Sequence, residues 1–213
     1  GAMHVHAVWQ FVEAASEGNK IYIFQAGTDE VIETFEFPRQ AVEDGGLCLA
    51  DYVNPAHPGP WGDAPPRDNI AFFAVTAGDG IRVLYQKYRE EGEYLKSHAI
   101  QALAIETAEG AAEWLHQKMR AWWGIADDPT ITMLDLFKAN YIGRRYSFGY
   151  PACPDLAMQK QLFRLIQPEE IGIELTEEFM MEPEASVSAM VVHHPAAKYF
   201  AIKNSGDGEE QTG

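Results

Sequence analysis

An α+β fold is predicted for this chain, strands first and last with helices between, on three observations. The first forty residues alternate apolar and polar side chains around a tight-turn signal. Residues 69–76 form a nearly continuous apolar run, the mark of a strand buried on both faces. From about Ile81 to Trp123 apolar residues recur every three or four positions, the period of a helix.

Taken in order, His4-Val5-His6-Ala7-Val8-Trp9-Gln10-Phe11 and Lys20-Ile21-Tyr22-Ile23-Phe24 flank a Glu17-Gly18-Asn19 turn and predict a β-hairpin. Phe35-Glu36-Phe37 continues as strand until Pro38 stops it. The prolines at 55, 58, 60, 65 and 66 make residues 54–68 a loop or lid. Gly78-Asp79-Gly80 reads as a tight turn, because Val83 stands where a dinucleotide loop needs its third glycine. The helical stretch breaks near Gly92, and its apolar stripe runs Ile100, Leu103, Ala104, Ala108, Ala111, Leu115, Met119 and Trp122. Glu106, Glu109, Glu113, His116 and Arg120 are assigned to its polar flank. A short helix is predicted over 132–139 and another beginning at Pro154-Asp155. Strands are expected at 186–192 and 198–203. Gly1-Ala2 reads as an expression scar, residues 4–203 as a single domain, and 204–213 as a frayed tail.

Composition narrows the function. The chain has 213 residues, 46% of them hydrophobic, which is enough for one good core and rules out a disordered polymer. Thirty-two acidic against sixteen basic side chains leave a formal charge of -16, which excludes sequence-independent nucleic-acid binding. No apolar run reaches the ~18 residues of a spanning helix, so no membrane role is expected. Two cysteines, Cys48 and Cys153, stand far apart without a CxxC or a secretory leader, a cytoplasmic pattern in which a structural disulfide is not expected.

Several patterns carry chemistry only weakly. Glu113-Trp114-Leu115-His116 matches the Glu-x-x-His of di-iron bundles, but no second copy follows, and an exposed face of paired charges is the preferred reading. His193-His194 before Pro195 reads as a strand end, and Cys153 as a buried structural thiol without an adjacent base. The stretch Arg144-Arg145-Tyr146-Ser147-Phe148-Gly149-Tyr150 is richer. Arginine offers a rigid fork for a carboxylate, Gly149 permits close backbone approach, and the aromatics offer flat surfaces for a large ring. By themselves these residues suit slightly better a glycine turn wrapped in core aromatics with Arg144 and Arg145 solvated.

Residues 145–154 resemble the Arg-x-x-x-Gly-Tyr-Pro-Ala-Cys-Pro signature of the activation domain of cobalamin-dependent methionine synthase. The resemblance continues through Leu175-Thr176-Glu177, Ala185-Ser186-Val187-Ser188 and His194-Pro195-Ala196-Ala197-Lys198-Tyr199-Phe200. Upstream it takes in Cys48-Leu49-Ala50-Asp51-Tyr52-Val53, the strand at 72–76 and the run from Ala108 to His116, so it covers roughly Val8 to Phe200. It implies an α+β domain with a central antiparallel sheet, lacking the helical segment that precedes the strands in the family and supplies an aspartate to the ligand site. Ala139 also stands where some relatives carry an acid.

The implied ligand is S-adenosylmethionine, with cobalamin held by a partner domain. The implied task is reductive methylation of oxidised cobalamin, with flavodoxin or a similar reductase as electron donor. On this resemblance Arg145 holds the ligand carboxylate, Gly149 and Tyr150 shape the loop, and Ala152 lends backbone contacts. Glu109 faces the ammonium or sulfonium, and Tyr199 packs beside the ligand; no residue is catalytic and none binds a metal. The cobalamin partner is expected at a cationic cluster of Lys118, Arg120, Lys138, Arg144 and Arg145, with Arg144 dispensable to the ligand. The alternative is a non-catalytic docking module for a corrinoid protein. A metalloenzyme built on Glu113 and His116 is a third reading.

Overall fold

The computed structural model describes residues 3–42, 45–57 and 65–202. His6–Glu17 (β1) and Lys20–Phe24 (β2) pair antiparallel with Glu17 opposite Lys20, so Gly18 and Asn19 form a two-residue turn. Gly18 sits at φ 61, in the left-handed region that this turn requires and that glycine enters without steric cost. Val31–Glu36 (β3) adds to the outer edge of β2. On its other side β1 pairs with Asp68–Thr76 (β4) from His6↔Thr76 to Ala14↔Asp68.

Helices follow. Ile81–Glu90 (α1) and Tyr94–Trp122 (α2) are separated by Gly92 at φ 76, and Met133–Phe137 (α3) is capped by Thr132 and Asp135. Arg144–Tyr146 (β5) then returns to the sheet. Asp155 caps a 3₁₀ turn that runs into Gln159–Ile166 (α4). A small hairpin, Glu174–Leu175 (β6) with Met181–Glu182 (β7), precedes Ser186–Val192 (β8). The main sheet has six strands in the order β3-β2-β1-β4-β8-β5, every pair antiparallel.

Both faces of β4 are buried, as its apolar run requires. One face carries Val12, Ile70, Phe72 and Met190 beneath Leu162, Phe163 and Ile166 of α4. The other carries Ala71, Phe73, Val75 and Val191 beneath Ala108, Ala112, Leu115 and Met119 of α2. Alanines at four-residue spacing let the backbone of α2 lie close to the sheet.

Three sequence expectations are corrected. Leu103 and Trp122 are 56% and 53% exposed and do not belong to the buried stripe of α2. The buried row runs Ala104, Ala108, Ala112 and on into His116 and Arg120, neither of which has exposed surface. No strand forms at Lys198–Ile202, because the free edge of β8 is already taken by β5. That segment is tied instead by single bonds: the Tyr146 hydroxyl donates to the Lys198 carbonyl (2.9 Å), and the Ile202 N–H to the Pro151 carbonyl (2.8 Å). The expected tail, residues 58–64 of the proline loop, and Gly1-Ala2 lie outside the described residues. Among the described residues no helix is long and apolar enough to cross a membrane.

Phe35 stacks on Phe37, Phe72 and Phe148 at 6.0, 5.1 and 6.1 Å, joining β3 to β4 and to the loop after β5. Replacement Phe35→Ala should cost about 3–5 kcal/mol in urea unfolding. A loss below about 1 kcal/mol would show that this aromatic column is not what holds β3 to the loop after β5.

Candidate functional site

β5 places Arg145 opposite Val191, on the sheet face that packs against α2. Alternation along a strand sends Tyr146 to the other face, where it is 3% exposed and meets Tyr199 edge-on at 5.7 Å. Arg145 is 19% exposed. Its Nη1 donates to Glu113 Oε2, and its Nη2 lies 3.9 Å from Glu109 Oε2, one turn back along α2. Arg144 is not solvated either; its Nη1 donates to the Tyr141 and Gly143 carbonyls, both at 2.6 Å.

After Tyr146 the chain makes a closed loop. The Gly149 N–H donates to the Cys153 carbonyl (2.8 Å) and the Cys153 N–H to the Tyr150 carbonyl (2.9 Å). Gly149 has φ 83, a conformation that favours glycine, and a Cβ there would come within 2.9 Å of Leu156 Cδ1, the movable end of a side chain. Cys153 is a free thiol that burial pushes up to about 12, with Asp155 adding to the effect; it is no nucleophile at neutral pH.

A cleft of about 390 Å³ opens between this loop, α2 and Tyr199. Five of the six residues singled out from sequence line it: Arg145, Tyr150, Ala152, Glu109 and Tyr199. Gly149 lines the adjoining cleft of about 270 Å³, which shares Glu109, Ser147 and Tyr150 and reaches Met180 and Ser188. Tyr150 and Tyr199 are 60% and 55% exposed at the mouth. Opposite charges on Glu109 and Arg145 therefore face one groove flanked by two aromatic rings.

Behind Arg145 lies a buried charge network where an exposed face was expected. Arg120 is 0% exposed and grips Asp127 with two bonds, Nε to Oδ1 (2.7 Å) and Nη2 to Oδ2 (2.6 Å). Its guanidinium lies 3.7 Å from the centroid of the Tyr141 ring, and its Nη2 lies 3.8 Å from Glu113 Oε1. The Tyr141 hydroxyl is 3.4 Å from Glu113 Oε2; burial, and then the Glu113 charge, push that phenol up to about 12. His116 meets Tyr141 edge-on at 5.3 Å, and burial together with the charges of Arg120, Arg145 and Arg144 lowers it well below the ordinary histidine range. The expected cationic cluster is thus only in part a surface: Arg120 is enclosed and Arg145 is already paired, while Lys118 and Arg144 are half-buried and Lys138 is exposed. No group of three metal-ligating side chains occurs among the described residues.

Sequence reasoning missed Ser147 and Phe200 as lining residues, and Glu113, Arg120, Asp127 and Tyr141 as their support. The four-residue row Ala108, Ala112, His116, Arg120 was the available signal for Arg120 alone.

The profile of the vitamin B12 dependent methionine synthase activation domain matches residues 1–211. This chain belongs to that family. It is 31% identical over 207 residues to a methionine synthase of Mycobacterium tuberculosis, covering 93% of this chain. It is 32% identical over 204 residues to that of Mycobacterium leprae, covering 92% of this chain. In each case the chain spans only 17% of the relative's length. A crystal structure of the MetH reactivation domain bound to AdoHcy superposes with a TM-score of 0.82 at 30% identity, covering 94% of this chain and 62% of that one. The activation-domain fold, a six-stranded antiparallel sheet with helices, is the one the sequence predicted.

Two outcomes follow from the network. Asp127→Ala should destabilise the fold by about 3–5 kcal/mol by stranding the Arg120 charge, and adding Arg120→Met should restore much of the loss in chemical unfolding. A double variant no better than the single one would contradict this. His116 stays neutral in the fold while the unfolded chain takes up a proton below about pH 6.5. Its contribution is therefore complete above that pH and shrinks as pH falls, so His116→Gln should flatten the decline in stability between about pH 7.5 and pH 5.5. Parallel pH curves for the two proteins would refute the assignment.

Proposed function

We propose that this domain binds S-adenosylmethionine in the cleft beside β5 and presents it to a cobalamin-bearing domain for reactivation of a methionine synthase. The observation that supports the reading is the pairing of Arg145 and Glu109 across one groove between two exposed tyrosines. The ligand carries the complementary set, a carboxylate, an ammonium and a sulfonium beside a purine. The neighbouring structure with AdoHcy, the demethylated form of the same ligand, belongs to the same fold.

The residues fit these roles. Arg145 offers the carboxylate a charge-assisted bond, and Glu109 offers the cationic end a counter-charge. Gly149 and Ala152 bring backbone close to the ligand, while Tyr150 and Tyr199 supply faces for the ring. Cobalamin held by a partner would supply the nucleophile for the sulfonium methyl and an external donor such as flavodoxin the electron, with S-adenosylhomocysteine as the leaving product. The domain's own share is to bind, orient and exclude water. The buried Cys153 and the neutral His116 have no proton to move in that step. The cobalamin partner must meet the cleft mouth at Tyr150 and Tyr199, because the methyl donor lies there. The donor contact, between acidic surfaces, would be weak, local and sensitive to salt. A cytoplasmic setting suits both.

One observation favours the alternative of a docking module without ligand: Arg145 already has Glu113 on one side and Glu109 on the other. Calorimetric titration with S-adenosylmethionine separates the two. Arg145→Ala should weaken binding by about 2–4 kcal/mol, Arg145→Lys should recover part, and Arg89→Ala on α1 should leave it unchanged. Full affinity in Arg145→Ala would end the assignment.

A further inference from the structure

Arg145 stands on a strand of three residues, Arg144–Tyr146, bonded to β8 along one edge. Such a strand fixes a backbone but not the end of a long flexible side chain. The aim of the guanidinium must come from elsewhere, and Glu113 is the group that supplies it. Glu113 belongs to the best-anchored part of α2, between Ala112 at 0% and Leu115 at 2% exposure. Its carboxylate is held from three sides: by Arg145, by the Tyr141 hydroxyl at 3.4 Å and by Arg120 at 3.8 Å. Arg120 is in turn locked by two bonds to Asp127 and by the ring of Tyr141.

A continuous chain of contacts thus runs from Asp127 through Arg120 and Glu113 to Arg145 and ends at the cleft. Glu113 takes Nη1, which leaves the Nη2 edge turned toward Glu109 and the groove. Were Glu113 uncharged, the nearest anion to Arg145 would be Glu109, 3.9 Å away and 48% exposed. Arg145 would then close onto it, and one collapse would remove both the donor for a carboxylate and the acceptor for an ammonium.

We infer that Glu113 is a positioning residue of the ligand site: it holds Arg145 away from Glu109, so that an amino-acid head group meets the two as separate, fixed partners. This rests on the proposed S-adenosylmethionine reading, and it differs from that reading in naming what keeps the site open.

The test compares ligands with and without the amino-acid head, in the intact chain and in Glu113→Gln. Affinity for S-adenosylmethionine and S-adenosylhomocysteine should fall about tenfold or more, while 5′-methylthioadenosine, which lacks that head, should bind within about twofold of its original strength. Glu113→Asp keeps the charge and should recover part of the loss. Equal weakening for all three ligands would mean a merely structural role and would overturn the inference. A second readout needs no ligand. The Arg145 Nη–H resonance, identified by its disappearance in Arg145→Lys, should be sharp and slow to exchange in the intact protein and broadened in Glu113→Gln. An unchanged resonance overturns the inference even where the ligand reading holds. Failure of the intact chain to bind S-adenosylmethionine overturns the ligand reading, while the resonance still decides whether Glu113 holds Arg145.

Discussion

Arg120 carries a full positive charge with no exposed surface, and the surrounding structure is arranged to meet that condition. An unpaired ion at such a depth costs several kcal/mol, so a counter-charge at hydrogen-bond distance is obligatory. Asp127 supplies it through two short bonds, which requires the chain to turn back immediately after α2. Tyr141 covers the guanidinium face, which fixes where the chain re-enters before β5. The position of Arg145, four residues beyond Tyr141 and one strand from α2, follows from that constraint.

The two layers of the fold serve this arrangement differently. The α4 side is an apolar core, dense with phenylalanines, that locks β3 to the loop 147–153. The α2 side begins as an alanine row against the sheet and ends as a polar network. The cleft opens where these two regimes meet, with Phe148 anchored in the first and Arg145 in the second. A rigid apolar wall and a directional charge network together give a groove whose width and polarity are both fixed.

Much of this was legible in the chain. Period-two alternation, the Gly18 turn and the unbroken apolar run at 69–76 each have one physical solution, and the structure adopts it. The loop motif was legible through its special requirements, a left-handed glycine and a proline-guarded cap. The network was hidden because His116 and Arg120 are polar, and polarity was read as exposure. Four-residue spacing outweighs residue type once a partner such as Asp127 waits at the buried end, and a partner seven positions away in a loop leaves no periodic trace. β5 was hidden for a different reason. Three residues are too few to alternate, and their strand character comes from the edge of β8.

The charge count at the site gives the reading its last constraint. Three carboxylates, Glu109, Glu113 and Asp127, contact only two guanidinia, those of Arg120 and Arg145. Asp127 and Glu113 are committed to the interior pairs, so the uncommitted charge is that of Glu109 at the cleft wall. A ligand that brought a carboxylate alone would satisfy Arg145 and leave Glu109 facing it as a like charge. A ligand that brought only a cation would satisfy Glu109 and waste the arginine. A molecule with a carboxylate and a neighbouring ammonium satisfies both at once, and an added sulfonium gains further from the acid. On the proposed reading, the same geometry that makes Arg145 look already occupied would select for a zwitterionic head, since each end of the ligand would replace the long 3.9 Å contact between Arg145 and Glu109 with a direct one.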